Sequence, residues 1–176
     1  IRNKTTLGLE AKKIMDAGQL VKDAVILKMM KERFLNDDCI NGYIMDGFPR
    51  TIPQAEGLAN LLENMNEELD VVIVLEAADH DIVKRLSNRR SCKGCGRVYN
   101  LIFHPPENEE ICGDCGNELY LRVDDQPDTI QKRLKVYRKQ TEPLIHFYKN
   151  QGKVQSVNSE GSIESVRTSI IQCLNF

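Results

Sequence analysis

The sequence lacks a run of apolar residues long enough to cross a membrane, and it has no internal repeat or low-complexity segment. An excess of one charge is also missing, because 24 Lys and Arg stand against 26 Asp and Glu for a formal net charge of −2. A general nucleic-acid-binding protein is usually basic. Histidine is scarce, and we interpret its three isolated copies as surface or loop residues: His80, His104 and His146. We therefore predict neither nucleic acid nor a membrane as a partner.

Cysteine is abundant by comparison, and its spacing is informative. Four of the six cysteines form two C-x-x-C pairs, Cys92 with Cys95 and Cys112 with Cys115, separated by 16 residues. This spacing is typical of a four-thiolate zinc site, which is closed and leaves no position for catalysis. We predict a structural zinc site in a small strand-rich insert, although iron also suits four thiolates. Two disulfides are the alternative, disfavoured because nothing in the sequence indicates secretion; we expect a cytoplasmic location.

Apolar patterns in the rest of the chain alternate between helix and strand. The continuous apolar run 71–75 is typical of a strand buried on both faces, and residues 42–46 and 153–157 are predicted as two further strands. Helical patterns fill the intervals, at about 7–17, 23–36 with Asp23 as its cap, 53–63, 79–90, 127–142 and 162–174. Strands alternating with helices indicate an α/β fold with a parallel sheet, which the cysteine insert interrupts.

The segment Asp46-Gly-Phe-Pro-Arg50 carries candidate chemistry at the end of a predicted strand. Ligands of parallel α/β sheets bind beyond the carboxyl ends of the strands, which is where this segment lies in the sequence. Asp46 can hold a Mg²⁺-bound water, and Arg50 can bind a phosphate through two parallel hydrogen bonds. The alternative is a strand-ending turn with an ordinary surface arginine.

Four further arginines favour a phosphoryl-transfer site. Arg85 and Arg89 are four residues apart on the helix predicted to enter the insert, Arg122 leaves the insert, and Arg133 lies on the next helix. Phosphoryl transfer requires positioned positive charge, a metal ion and exclusion of water. A lid that zinc holds together and that is hinged between arginines would supply the first and the third. Surface ion pairs with the many carboxylates are the alternative for any single arginine.

Longer motifs surround these residues and together resemble the adenylate kinase family, in its long form with a zinc-bearing lid: DGFPRTIPQA (46–55), RLSNRRSCKGCGRVYN (85–100), CGDCGNELYLRVDD (112–125) and QKRLKVY (131–137). AKKIMDAGQLV (11–21) and TEPLIHFY (141–148) extend the resemblance to nearly the whole chain. It implies a P-loop-kinase-like parallel sheet and the reaction ATP + AMP ⇌ 2 ADP with Mg²⁺, catalysed by a monomer. It also implies three parts: a partial AMP-binding subdomain (1–21), an α/β core (22–87 and 126–176) and the lid (88–125).

The resemblance further implies an AMP side and an ATP side. The residues implied for AMP are Gln19, Leu20, Val21, Gly47, Phe48, Pro49, Arg50, Gln54, Arg122 and Arg133. The residues implied for ATP are Arg85, Arg89, Val98, Tyr99 and Gly161. The residues implied in catalysis are Arg85, Arg89, Arg122, Arg133 and Asp46.

Two features depart from the family pattern. The glycine-rich P-loop, G-x-x-x-x-G-K-[ST], is not found in this sequence, which starts inside the AMP-binding part. We therefore expect these residues alone not to transfer phosphoryl groups at a useful rate, because the P-loop supplies positioning and charge. The second departure is Asn100, where the family usually has histidine.

Two other functions remain as alternatives. The first is a non-catalytic zinc-ribbon module that binds a nucleotide or a protein; its acidic residues 107–110 would repel nucleic acid. The second is a kinase for CMP or UMP, which the long lid disfavours.

Overall fold

A computed structural model describes residues 6–9 and 21–174, which divide into two compact units. The first unit comprises the described chain up to Asp70 and Gln140–Lys153, and the second comprises Val71–Lys139 and the described chain from Val154. Residues 6–9 are helical, and the rest of the helix predicted there lies outside the described residues. The other elements, in chain order, are α1 (Asp23–Phe34), α2 (Ile52–Asn64), β1 (Val72–Glu76), α3 (Asp79–Ser87), β2 (Arg89–Cys92), β3 (Val98–Asn100), β4 (Leu119–Tyr120), α4 (Pro127–Gln140), α5 (Pro143–Lys149), β5 (Val154–Asn158) and α6 (Ile163–Leu174).

The core of the first unit lies between α1, α2 and the extended segment 42–48. Phe34, Leu58 and Leu62 are buried there, and Tyr43 and Met45 pack against them. Ile44, between these two, is 92% exposed. The segment thus shows the alternation of a strand, but the prediction of a strand at 42–46 is wrong, because within the described residues it has no partner strand to share a hydrogen-bond ladder.

The ends of the helices in the first unit follow local chemistry. The Thr51 side chain caps α2 by accepting a hydrogen bond from the Gln54 N–H at 3.3 Å, and Pro53 occupies the first turn. The prediction that Asp23 caps α1 is wrong, because Lys22 holds the cap position and Asp23 is the first helical residue. Its carboxylate is engaged by α2 instead.

The second unit contains a parallel pair of strands, β1 and β5, in register from Val72 opposite Val154 to Glu76 opposite Asn158. The parallel α/β fold class is confirmed at this level. The expectation that residues 71–75 are buried on both faces is wrong, because Leu75 is 53% exposed.

No helix in the described part of the chain is long and apolar enough to span a membrane.

The cysteine insert forms a three-stranded antiparallel sheet in the order β3-β2-β4. Its hydrophobic core consists of Cys92, Tyr99, Cys112 and Leu119. The predicted helix 79–90 is shorter than expected, because α3 ends at Ser87 and Arg89 pairs with Asn100 across β2 and β3. The sequence spacing had predicted that Arg85 and Arg89 lie on one helix face. This prediction is wrong, because Arg89 lies beyond the end of α3.

Candidate functional site

The loop 46–50 in the first unit presents Asp46 and Arg50 as exposed residues. Arg50 Nε donates to the Gly47 carbonyl at 2.7 Å, which orients the guanidinium. Gly47 has φ of 70°, and a Cβ at this position would lie 2.9 Å from Arg50 Nη2. Only glycine meets both conditions, because other residues rarely adopt positive φ and would displace the arginine.

Gln54 connects this loop to α1 and α2. Its Oε1 accepts the Arg50 N–H at 2.8 Å, and its Nε2 donates to Asp23 Oδ1 at 2.7 Å. Thr51 Oγ1 also donates to Asp23, at 3.4 Å. The Thr141 hydroxyl holds the other end of the loop by donating to the Arg50 carbonyl at 3.0 Å. The main chain at Arg50 is therefore fixed on both sides.

The two cysteine pairs of the insert form matching turns. The N–H of Gly96 donates to the Cys92 carbonyl at 3.2 Å, and the N–H of Gly116 donates to the Cys112 carbonyl at 2.9 Å. Both glycines have positive φ, 77° and 69°, which lets the chain fold back beside the sulfurs.

The four sulfurs converge at one place. Their Sγ atoms all lie within 4.8 Å of one another, with Cys92 and Cys115 at 3.4 Å and Cys95 and Cys112 at 3.6 Å. All four thiols are free, so the disulfide alternative is wrong. A tetrahedral ion with bonds of about 2.3 Å to sulfur requires sulfurs about 3.8 Å apart. The cluster fits such an ion.

Neighbouring hydrogen-bond donors and the other thiols shift the pKa values of three of the four cysteines in different directions. The Tyr99 hydroxyl beside Cys112 lowers the pKa of that thiol, and the Asn117 main-chain and side-chain N–H groups lower the pKa of Cys115 to about 6. The Arg97 N–H lowers the pKa of Cys95, but the Cys115 thiol, burial and the other two thiols outweigh it and raise that pKa to about 12. A bound cation requires all four as thiolates, so metal uptake must release protons.

A buried carboxylate organises the arginines next to the insert. Asp125 is fully buried, and it accepts from Arg89 Nε at 2.7 Å and from Arg89 Nη2 at 2.5 Å. This two-bond contact raises the pKa of the Arg89 guanidinium. Arg133 Nη1 lies 3.8 Å from the same carboxylate.

The neighbouring carboxylate, Asp124, holds the other arginines loosely. Arg122 Nε is 3.4 Å from its Oδ1 and Arg133 Nη1 is 3.8 Å from its Oδ2, while Arg133 also donates to the Asp124 carbonyl at 2.9 Å. These three side chains are 43% to 49% exposed. The structure thus brings Arg89, Arg122 and Arg133 together around two adjacent carboxylates.

Arg85 stands apart from this group. Its Nη2 donates to the Ser159 carbonyl at 2.6 Å, and its guanidinium lies 5.8 Å from the centre of the Phe103 ring. Asn100 fixes both ends of the contact: its Nδ2 donates to the Arg85 carbonyl at 2.9 Å, and its Oδ1 accepts the N–H of Phe103 at 3.1 Å. The residue that departs from the family pattern therefore joins α3 to the insert.

The remaining predicted residues are placed as follows. Val21 is half-buried before α1, Val98 is 51% exposed on β3, and Tyr99 is 5% exposed inside the insert. Gly161 is exposed, and a Cβ there would lie 2.4 Å from Ser165 Oγ. Phe48 and Pro49 are half-buried in the loop of the first unit. Gln19 and Leu20 lie outside the described residues.

Comparison with known proteins assigns the chain to a family. The family model described as adenylate kinase matches residues 1–153. The chain belongs to the adenylate kinase family. Adenylate kinases are phosphotransferases, so the enzyme class predicted from the sequence is confirmed, and the non-catalytic zinc-ribbon alternative is not favoured.

Curated relatives agree over almost the whole chain. The adenylate kinase of Methanothrix thermoacetophila is 46% identical over 175 residues, covering 99% of this chain and 81% of the relative. That of Thermodesulfovibrio yellowstonii is 49% identical over 170 residues, covering 97% and 79%. That of Caldicellulosiruptor saccharolyticus is 42% identical over 174 residues, covering 99% and 81%.

Three polar residues of this adenylate kinase family member were missed as site residues by the sequence analysis. Asp124 and Asp125 pair with the predicted arginines, and Asp23 holds Gln54. A sequence signal existed for the first two, because two adjacent carboxylates follow Arg122 within three residues. No such signal marked Asp23, since its partners are 28 and 31 residues away.

Proposed function

We propose that this protein catalyses ATP + AMP ⇌ 2 ADP, with Mg²⁺ accompanying ATP, whereas residues 1–176 alone, which contain no P-loop motif, are expected not to do so at a useful rate. The observation that carries this proposal is the convergence of Arg89, Arg122 and Arg133 on Asp124 and Asp125. Three guanidinium groups against two carboxylates leave net positive charge, and two of them are half-exposed with long contacts to those carboxylates. Such arginines are suited to bind phosphate oxygens and to stabilise charge on a transferring phosphoryl group.

We propose that the first unit binds AMP. Arg50 supports this role because it is exposed while its Nε and its main chain are fixed by Gly47, Gln54 and Thr141. A guanidinium held this way loses little conformational freedom when it binds the AMP phosphate. The other AMP residues proposed by family resemblance are Gln19, Leu20, Val21, Gly47, Phe48, Pro49 and Gln54. Asp46, exposed beside them, is proposed to hold a Mg²⁺-bound water.

We propose that the second unit binds ATP, with Arg85 and Arg89 on the phosphates and Val98, Tyr99 and Gly161 near the adenine. The partial exposure of Val98 supports its part, whereas the hydroxyl of Tyr99 is engaged inside the insert. Arg122 and Arg133 are proposed to contact AMP and the transferring group. We propose three parts along the sequence. Residues 88–125 form the lid, residues 22–87 and 126–176 form the core on either side of it in sequence, and residues 1–21 belong to the AMP-binding subdomain.

We propose zinc as the ion of the four-cysteine cluster, bound by Cys92, Cys95, Cys112 and Cys115. Four thiolates in a closed tetrahedron supply structural cross-linking and no catalysis. Elemental analysis of the reduced protein distinguishes zinc from iron: we expect one zinc per chain. We also propose that the protein is cytoplasmic, because thiols stay reduced in that compartment. We propose that it is a monomer and that its partners are ATP, AMP and ADP rather than nucleic acid or a membrane.

The test of the reaction is ADP formation with ATP, AMP and Mg²⁺ by a form of the protein that carries a P-loop. We expect turnover with AMP, much slower turnover when CMP or UMP replaces it, and loss of turnover when Mg²⁺ is removed. Preference for CMP or UMP would overturn the assignment of the acceptor. Absence of turnover with every acceptor would overturn the proposed reaction.

A further inference from the structure

Tyr99 is the buried residue that joins the two cysteine turns. It lies on β3, which follows the first turn, but its hydroxyl reaches the second turn. The hydroxyl is 3.4 Å from Cys112 Sγ and accepts the Gly113 N–H at 3.1 Å. The side chain is 5% exposed, in the same buried cluster as Cys92, Cys112 and Leu119.

The ring of Tyr99 is also in contact with a residue tied to the second turn. The Arg97 guanidinium lies 5.0 Å from the ring centre, and Arg97 forms an ion pair with Asp114, which lies between the two cysteines of the second turn. Both the hydroxyl and the ring therefore contact the segment 112–115 directly or through Arg97. These contacts fix the direction of the hydroxyl independently of any metal.

The direction of the hydrogen bond follows from chemistry. A cysteine bound to a metal ion is a thiolate and has no proton to donate. The hydroxyl oxygen already accepts the Gly113 N–H, so its own proton is available for the sulfur. The phenol is therefore the donor to Cys112 when the cluster holds an ion. Ligands of metal ions are commonly oriented by such outer hydrogen bonds.

We infer that Tyr99 is a positioning residue of the metal site, whose hydroxyl orients the Cys112 thiolate and strengthens metal binding. This inference rests on the proposed four-cysteine site. It assigns the phenol a role at the metal that is separate from the adenine contact proposed by family resemblance.

The test compares Tyr99→Phe with the parent protein in metal affinity. Phenylalanine keeps the ring and removes only the hydroxyl. We expect competition with a chelator for Zn²⁺ to show an affinity about 10-fold lower, within the range known for outer-shell partners. Tyr120→Phe is the matched control, because Tyr120 lies on β4 of the same sheet with 39% of its surface exposed. Its affinity should equal that of the parent.

A second measurement separates metal positioning from general stabilisation of the insert. Thermal midpoints are compared with and without Zn²⁺ for both variants. We expect Tyr99→Phe to reduce the increase in midpoint that Zn²⁺ produces. Unchanged Zn²⁺ affinity, with midpoints lowered equally in both conditions, would overturn the inference while the metal site stands. Failure of the parent to bind Zn²⁺ would overturn the metal site, and the inference with it.

Discussion

Asp124 and Asp125 are adjacent in sequence, yet their surroundings differ. Asp125 is fully buried with two hydrogen bonds from Arg89, whereas the Asp124 side chain is 46% exposed with contacts of 3.4 and 3.8 Å. A buried charge that loses its partner is costly, while an exposed ion pair contributes little because water screens it. The two residues should therefore respond very differently to the same substitution.

We predict that Asp125→Asn lowers the free energy of unfolding by about 3 kcal/mol, because Arg89 then keeps its charge without a counter-ion in a partly buried place. Asp124→Asn is the control, with an expected loss of under about 1 kcal/mol. Urea unfolding measures both. Equal losses in the two variants would contradict the separate roles.

Gln54, a proposed AMP-binding residue, also stabilises the loop 46–50 through hydrogen bonds. We predict that Gln54→Leu destabilises the protein by about 1–3 kcal/mol, because the Asp23 carboxylate and the Arg50 N–H both lose a partner. Asn60→Leu, at an exposed position of the same helix, should change stability far less. If urea unfolding gave the same midpoint for Gln54→Leu and the parent, these two hydrogen bonds would have no measurable value.

At the scale of elements, the insert depends on the cysteine cluster for its core. Two of the four residues in its hydrophobic core belong to the four-cysteine cluster, and its strands are only two to four residues long. So small a sheet has little apolar surface to bury, and metal binding energy becomes folding energy.

We predict that chelation, or Cys92→Ser, exposes the amides of β2, β3 and β4 to hydrogen exchange while those of β1 and β5 stay protected. Cys173→Ser is the control, since Cys173 lies on α6 outside the cluster. Exchange that increased equally in all five strands would show that the insert and the parallel pair unfold together.

Metal binding should also depend on pH. In the metal-free protein Cys95 has a pKa of about 12, so it is protonated at neutral pH, whereas Cys115 has a pKa of about 6 and gains its proton only in acid. Binding releases these protons, so we predict that affinity rises with pH and that it rises more steeply below about pH 6 than above. Calorimetric titration with Zn²⁺ in buffers of different ionisation enthalpy counts the protons; a count of zero at pH 7 would contradict the prediction.

At the scale of the whole molecule, a ligand that binds only the folded state stabilises it by mass action. We predict that AMP at about 100 times its dissociation constant stabilises the parent by about 2.7 kcal/mol. Arg50→Ala should lose most of this gain, because the phosphate loses its guanidinium partner. Zinc content serves as the control, since the cluster belongs to the other unit and should be unchanged. An undiminished thermal shift with AMP would remove Arg50 from the AMP site.

Local chemistry within the sequence was sufficient for much of this protein. The two C-x-x-C pairs predicted the cluster, because a metal turn involves residues within four positions of one another. Helix α2 and strands β1 and β5 also followed from local patterns. The family motifs predicted the enzyme class for the same reason, since they are contiguous stretches of sequence.

Only the tertiary structure decided which residues meet across long separations. Residues 42–46 have a strand-like pattern, but a strand also requires a neighbour, and none lies beside them within the described residues. Arg89 left its predicted helix because Asn100 pairs with it in a sheet. The fold pairs the buried Asp125 with Arg89, which lies 36 residues away in sequence. It also places the Tyr99 hydroxyl beside Cys112. Hydrogen-bond partners and burial are properties of the folded chain, so neither spacing nor composition contains them.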